Sequence, residues 1–177
     1  MAIKIFIGTE PKTNIPLKVL AYSIEKHASV PIQIIKMMGK DWTIRPNAFI
    51  GTGFSLLRWD IPRVCEYQGF AIYLDVDQLV LTDIADLYKS DMKYPNNKCS
   101  VWCTYQESKW YKKLTPETSV MLIDCAKAKD NQPDLEHALD YIYNDPEPKK
   151  RKRYIKIMRE LKNKNKLQCF SALYKRT

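Results

Sequence analysis

The sequence predicts an α/β domain in which helices flank a mostly parallel β-sheet. Short apolar runs alternate with segments that have helical periodicity, and this alternation is typical of such sheets. The 177 residues are enough for one sizeable hydrophobic core, and 45% of them are hydrophobic, as in ordinary globular proteins. No internal repeat interrupts the alternation. The order of elements is consistent with the nucleotide-binding half of a doubly wound fold.

The predicted strands are short apolar segments bounded by polar or turn-forming residues. In chain order they cover residues 3–8, 30–37, 70–76, 99–105 and 119–125. The predicted helices cover residues 16–28, 53–67 with a kink at Pro62, the second half of 79–88, 134–145 and 151–164. Asp83 is a candidate N-cap for the third of these helices. Prolines in residues 146–150 separate the last two.

Positive charge is concentrated near the C-terminus. The chain carries a net charge of +9, and residues 149–166 contain ten Lys or Arg and one Glu, whereas residues 1–148 contain 17 basic and 19 acidic side chains. We therefore divide the chain into a domain over residues 1–148 and a basic helical extension over residues 149–177, packed on the domain or flanking it. The extension is a candidate contact for polyanions or anionic surfaces, and a solvated helix is the alternative.

Several classes of protein are disfavoured. The apolar runs are far shorter than the ~18 residues of a membrane span, and the first residues lack the features of a signal peptide. The five cysteines are widely spaced and odd in number, which favours reduced thiols and a cytoplasmic location. Neither a GxGxxG nor a GxxxxGK[ST] motif is present, which argues against common dinucleotide and P-loop sites.

Two aspartates emerge from the apolar run AIYLDVDQLVL at residues 71–81. Ligands of α/β sheets bind beyond the carboxyl ends of strands, and in an extended backbone Asp75 and Asp77 would point to the same side. Paired carboxylates in that position suit Mg²⁺ or Mn²⁺. The alternatives are a solvated turn, or a nucleophile loop of the haloacid dehalogenase type. Two observations argue against the dehalogenase-type loop. Leu79 occupies a position where that loop has Thr or Val, and the strand comes late in the chain.

The surroundings of this pair resemble the core of a GT-A glycosyltransferase, closest to glycosyltransferase family eight and related bacterial and viral enzymes. The similarity lies in residues 54–88, FSLLRWDIPRVCEYQGFAIYLDVDQLVLTDIADLY, which contain an aromatic-Ser pair, an Arg, IP, YLDxDxLV and DIxxL in the family's order. IFIGTEPK and VLAYSI near the start resemble the first strand and helix of that family, and SVMLIDC resembles a later strand. The resemblance spans about residues 3–126.

The resemblance implies roles for individual residues. Asp75 and Asp77 would bind the divalent ion that holds the donor diphosphate. The residues implied to bind the nucleotide are Gly8, Thr9, Glu10, Arg58 and Asp75. Glu117, Thr118 and Ser119 fall where the family lines its donor-sugar pocket, although the family usually has Asn-Ala-Gly there. Gln106, which follows a predicted strand, is a further candidate for the same cleft.

The resemblance implies metal-dependent transfer of a sugar from a nucleotide diphosphate donor to an acceptor hydroxyl, with retention of configuration. The expected donor nucleotide is uridine diphosphate (UDP), and the acceptor would be a glycan, a protein or a lipid. The family's third metal ligand is a C-terminal His near KPW or QPW, and this sequence has no such segment. Its two histidines, His27 and His137, lie on predicted helices. No residue is identified as a catalytic base. The alternative is a nonenzymatic module that binds a nucleotide sugar or a polyanion.

Overall fold

The structure, a computed structural model, describes residues 2–38, 54, 57–89, 100–107, 114–131 and 167–169. The predicted helices over residues 134–145 and 151–164, and with them most of the basic extension, lie outside this part of the chain. The strands are β1 (Ile3–Thr9), β2 (Ile32–Met38), β3 (Phe70–Asp75), β4 (Val101–Glu107), β5 (Leu114–Asp124) and β6 (Leu167–Cys169). The α-helices are α1 (Asn14–His27), α2 (Ile61–Val64), α3 (Ile84–Tyr88) and α4 (Cys125–Asn131).

The six strands form one sheet in the order β2-β1-β3-β5-β4-β6. Strand β1 pairs in parallel with β2 and β3, and β4 pairs in parallel with β6. Strand β5 lies between β3 and β4 and is antiparallel to both. Among the described strands β5 alone is reversed, so the prediction of a mostly parallel sheet flanked by helices is confirmed.

The two faces of the sheet bury different side chains because successive residues of a strand point to opposite sides. On one face Ile5 and Ile72 pack with Leu20 and Ile24 of α1. On the other face Phe6 and Tyr73 belong to a core cluster that includes Phe54, Trp59 and Ile61. The second face therefore carries the segment around residue 58, and it is the face onto which Gly8 and Asp75 project by the same alternation.

The predicted helix over residues 53–67 is wrong in the part that the structure describes. A 3₁₀ helix spans Leu57–Asp60, and α2 is a single turn that ends before Cys65. Pro62 lies in the first turn of α2, where its missing N–H costs no hydrogen bond, so it favours the start of a new helix at this point. The chain then turns sharply, with positive φ angles of 54° at Glu66 and 55° at Tyr67.

Strand β5 is longer than the predicted strand over residues 119–125 and contains an irregularity. Cys103 of β4 pairs with Met121, but the next β4 residue, Thr104, pairs with Glu117. Residues 118–120 therefore have no partner on β4 and form a bulge, although Val120 still pairs with Leu74 of β3. Such bulges redirect side chains and backbone groups out of the regular ladder. Helix α4 and strand β6 were not predicted.

Candidate functional site

The candidate residues on three strands meet at one edge of the sheet. Gly8 of β1 is the register partner of Asp75 at the carboxyl end of β3. Because β5 runs in the opposite direction, its bulge, which begins at Thr118, lies near that same edge, next to the residues that follow Leu74. Segments that are far apart in the sequence are thus brought to one side of one sheet edge, where α/β proteins bind their ligands.

Arg58 connects β3 to the bulge of β5. Its side chain is only 5% exposed, and Nη1 donates hydrogen bonds of 2.7 Å to both the carbonyl oxygen and Oγ1 of Thr118. Nη2 donates to Oδ1 of Asp75 at 3.2 Å and completes an ion pair. The bulge leaves the carbonyl of Thr118 outside the β4 ladder, where it can accept from the guanidinium. The structure therefore joins three predicted site residues in one network.

Tyr73 is a member of this network that the sequence analysis missed. Its side chain is fully buried, and Oη donates a 2.5 Å hydrogen bond to Oδ1 of Asp75. The guanidinium carbon of Arg58 lies 4.6 Å from the centre of the Tyr73 ring, within the range of a cation–π contact. The signal was present in the sequence, because residues two apart on a strand share a face and Tyr73 precedes Asp75 by two.

The space around Gly8 leaves no room for a side chain. A Cβ atom built on Gly8 would lie 2.2 Å from Oη of Tyr73 and 2.5 Å from Cδ2 of Phe54. Both distances are below any normal contact, so any larger residue would displace the phenol that reaches Asp75. The glycine therefore has a packing role in the network, whatever contact it also makes with a ligand.

Asp77 does not lie on the extended strand. β3 ends at Asp75, and a turn follows in which the carbonyl oxygen of Asp75 accepts a 3.1 Å hydrogen bond from the backbone N–H of Gln78. An extended backbone through Asp77 was the condition for both carboxylates to point to the same side, and this condition is not met, because the chain has already turned at residue 76. Asp77 is exposed, and its Oδ1 accepts a 2.9 Å hydrogen bond from Nε2 of Gln78. Asp77 follows Asp75, the last residue of β3, by two positions and so stays near the carboxyl end of that strand.

Thr9 and Glu10 form the turn between β1 and α1. The Thr9 side chain is buried, and its hydroxyl lies 2.8 Å from that of Thr13. The Glu10 N–H donates to Oγ1 of Thr13 at 2.9 Å, and the Glu10 carboxylate pairs with Lys12 at 2.9 Å. These contacts fix the turn beside Gly8, and they engage the polar side chains of both candidates within the turn itself.

The remaining candidates are placed less closely. Ser119 donates from its N–H and its hydroxyl to Oε1 of Glu117, at 3.1 and 2.6 Å, so these two side chains bond to each other. The backbone of Gln106 lies in β4 opposite Thr115, and its side chain is outside the described part of the structure.

In α1, Nδ1 of His27 lies 2.8 Å from the carbonyl oxygen of Ser23. His137 also falls outside the described residues.

The carboxylates at the edge suit a hard divalent cation. Among the described residues no group of three or more His, Cys, Asp or Glu side chains is arranged to hold a metal ion. Asp75, whose side chain is 22% exposed, and exposed Asp77 are two carboxylates at this edge that could serve as ligands. Mg²⁺ and Mn²⁺ accept such sites because water and substrate phosphates complete their coordination. The donor set thus fits one of these ions bound together with a phosphorylated ligand.

The fold is similar to those of several solved glycosyltransferases. GlyE of Streptococcus pneumoniae matches with a TM-score of 0.66 and 14% identity, over 99% of this chain and 46% of the GlyE chain. Mouse xyloside xylosyltransferase 1 matches with a TM-score of 0.63 and 13% identity, over 96% and 85% of the two chains. The galactosyltransferase LgtC matches with a TM-score of 0.61 and 14% identity, over 94% and 73%. The chain has the GT-A glycosyltransferase fold.

Sequence comparison adds less to the GT-A assignment. No family model matches the sequence. Protein CDI of Arabidopsis thaliana is 33% identical over 91 residues, which are 48% of this chain and 35% of that protein. The chain thus spans about a third of this curated relative and under half of GlyE. Within the described residues, every helix is too short or too polar to cross a membrane.

Proposed function

We propose that the protein is a metal-dependent glycosyltransferase that moves a sugar from a UDP-sugar to an acceptor hydroxyl. One observation carries the proposal: Asp75 lies at the carboxyl edge of a GT-A sheet, paired with buried Arg58 and adjacent to Gly8. The Asp75 carboxylate is held in place by a buried cation and yet stays partly exposed at this edge. It is suited to bind a ligand that carries both metal and phosphate.

Each residue has a separate role in this proposal. Asp75 and Asp77 hold Mn²⁺ or Mg²⁺, and that ion supplies neutralisation of the departing diphosphate. Arg58 adds fixed positive charge at the same edge, and because it is already oriented by Thr118, it needs little reorganisation when charge develops. Gly8, with the turn residues Thr9 and Glu10, borders the nucleotide. Retention of configuration rests on the resemblance to family eight alone.

The donor sugar is proposed to lie against the bulge of β5. Thr118 is bonded to Arg58, and Glu117 and Ser119 lie on either side of it in the chain. Gln106, on the neighbouring strand, would border the same space. In this position a hydroxyl group can donate hydrogen bonds to sugar hydroxyls and accept them, and a carboxylate can accept them. The acceptor is a hydroxyl group of a glycan, a protein or a lipid.

We further propose that the protein is located in the cytoplasm, and that its basic C-terminal segment contacts an anionic partner. Cys65, Cys103 and Cys125 are buried, and none of these three is in a disulfide bond, which suits a reducing compartment. Residues 149–166 carry ten basic side chains and one acidic side chain, so they are proposed to contact an anionic surface or polymer.

The test is release of UDP from a panel of UDP-sugars with and without Mn²⁺. Wild-type protein should release UDP from at least one donor only when the metal is present. Asp77→Asn should lose this activity and keep its melting temperature, because an exposed carboxylate in a turn supports little packing. Asp86→Asn, which changes an exposed carboxylate on α3, is the matched control and should behave as wild type.

Two other results would change the conclusion. Metal-dependent binding of UDP without release from any donor would support the alternative, a module that binds nucleotide sugars without turnover. Release that is the same with and without Mn²⁺, and that is unaffected by Asp77→Asn, would contradict the metal-dependent mechanism.

A further inference from the structure

We infer that Tyr73 is a positioning residue that fixes Asp75 so that one carboxylate oxygen, Oδ2, is offered to the divalent cation. As a consequence, Tyr73 favours Mn²⁺ or Mg²⁺ over Ca²⁺ at this site. The inference rests on the proposed function, since it concerns the cation that the proposed site binds. By this inference a buried tyrosine of the core influences which metal ion the site binds.

The position of Tyr73 explains how a core side chain reaches the site. Tyr73 and Asp75 share a face of β3, and Gly8 is the register neighbour of Asp75 on β1. The space above Gly8 is taken by the Tyr73 hydroxyl, which comes within 2.2 Å of where a Cβ would stand. The phenol thus passes over the glycine to reach Asp75, and the missing side chain is what allows the hydrogen bond.

The two oxygens of Asp75 are in different situations. Oδ1 accepts from Oη of Tyr73 at 2.5 Å and from Nη2 of Arg58 at 3.2 Å. The shorter contact has the length of a charge-assisted O–H···O⁻ bond, which is stronger than a neutral one. No donor from the described part of the chain reaches Oδ2. The carboxylate can turn toward a cation with both oxygens only by giving up these two hydrogen bonds.

This arrangement bears on metal selectivity. Ca²⁺ takes six to eight oxygens and commonly binds carboxylates through both of them, whereas Mg²⁺ requires a near-octahedral set of about six single oxygens. A carboxylate that offers one oxygen supplies what the smaller ion needs and withholds the second contact that Ca²⁺ would use. The Tyr73 hydroxyl and Nη2 of Arg58 both hold Oδ1, and the hydrogen bond from Tyr73 is the shorter of the two.

The experiment measures UDP binding by calorimetry at a series of subsaturating Mn²⁺ or Ca²⁺ concentrations, and so yields an apparent affinity of the site for each ion. Tyr73→Phe should weaken Mn²⁺-dependent binding about 10-fold, as expected when the partner of a metal ligand is lost. Ca²⁺-dependent binding should weaken by a smaller factor, so that the preference for Mn²⁺ narrows. Tyr88→Phe is the matched control and should change neither affinity, because Tyr88 lies in α3 and its ring packs on Phe70 of β3.

Gly8→Ala provides a second and independent perturbation. The added Cβ should push the phenol away from Asp75, so this variant should show the same narrowed preference for Mn²⁺. In a Tyr73→Phe background the same substitution should narrow the preference no further, because the hydroxyl is already absent. Circular dichroism checks that each variant is folded, and the ratio of the two affinities does not depend on the fraction of folded protein.

The outcomes separate this inference from the function on which it rests. If wild-type protein does not bind UDP in a metal-dependent way, the proposed function fails and the inference fails with it. If wild type binds but Tyr73→Phe leaves both affinities unchanged, or lowers both by the same factor, Tyr73 has no part in selecting the cation. Additive effects of Gly8→Ala and Tyr73→Phe on the preference would also overturn the inference.

Discussion

Replacing Arg58 with methionine tests how the site is held together before any ligand binds. The side chain is buried, and within the described part of the structure it makes three hydrogen bonds, two to Thr118 and one to Asp75. Methionine keeps an apolar stem but removes the guanidinium donors and the positive charge, so that, of the described donors, only Tyr73 still reaches the Asp75 carboxylate. Removing one partner of a buried ion pair costs about 3–5 kcal/mol. Because the Asp75 side chain is 22% exposed and water can reach it, we expect the lower end, about 3 kcal/mol.

That loss should lower the melting temperature by roughly 6–12 °C for a chain of this size. Thermal and urea unfolding would measure it. Lys12→Met is the control, because it also removes a cation from an ion pair, the 2.9 Å pair with Glu10, but at a side chain that is 79% exposed. Its cost should stay below about 1 kcal/mol. Equal melting temperatures for the two variants would refute the view that Arg58 holds the edge of the sheet together.

The double variant Arg58→Met/Asp75→Asn gives a further check on the same pair. Asparagine removes the carboxylate charge that Arg58→Met leaves uncompensated, so the double variant should be more stable than the sum of the two single effects allows. Coupling between groups in contact is typically about 0.5–3 kcal/mol. Simple additivity would show that the ion pair contributes nothing to the fold.

Three further predictions concern other parts of the molecule. Glu66→Asn should stabilise the protein by about 0.5–1 kcal/mol in urea unfolding, because asparagine tolerates the positive φ at this exposed position, whereas Glu66→Gln should not. The Ser29 hydroxyl, followed by the Ala85 N–H, lowers the pKa of Asp83, so this carboxylate stabilises the fold above its ordinary pKa and loses that effect as pH falls through the folded value. Ser29→Ala should therefore raise the pKa of Asp83 in an NMR titration and start the acid loss of stability at a higher pH. Replacing the ten Lys and Arg residues within residues 149–166 with Gln should abolish salt-sensitive binding to heparin and leave UDP binding unchanged, because strand β6 is kept, and retention on heparin that survives these substitutions would contradict the role given to this segment.

The elements with a strong local pattern were predictable from the sequence. The predicted strand over residues 3–8 is observed as Ile3–Thr9, and the predicted helix over residues 16–28 is observed as Asn14–His27. The helix carries apolar residues at helical spacing, which fixes its buried face, and the strand is a short, mostly apolar run that is buried on both faces of the sheet. Asp83 was predicted as an N-cap, and its side chain accepts a 3.0 Å hydrogen bond from the Ala85 N–H.

The failures occurred where distant contacts decide the structure. Residues 53–67 have apolar residues at helical spacing, but packing against β1 and the proline at position 62 leave only short helical turns in the described part. The bulge in β5 follows from its pairing with β4, which a single-segment pattern does not reveal. The direction in which Asp77 points depends on where β3 ends, and nothing in the local sequence fixes that point.

The candidate site was predictable in its residues more than in its contacts. Arg58, Asp75 and Thr118 were all identified from the sequence, but the hydrogen bonds between Arg58 and Thr118 join residues 60 apart in the chain. The contact between Tyr73 and Asp75 is local and could have been predicted, because the two residues share a face of one strand. It was missed because a tyrosine inside an apolar run was taken only as part of the core.

Titration of Mn²⁺ with and without UDP tests the central claim most directly, namely that Asp75 and Asp77 bind a cation together with a nucleotide diphosphate. Because two side-chain ligands leave most of the coordination to water and phosphate, Mn²⁺ should bind weakly alone. UDP should raise its affinity, Mn²⁺ should raise that of UDP by the same factor, and Asp75→Asn should remove the coupling. Tight Mn²⁺ binding without UDP that is lost in His137→Ala, or UDP binding that is unaffected by Mn²⁺, would contradict the account.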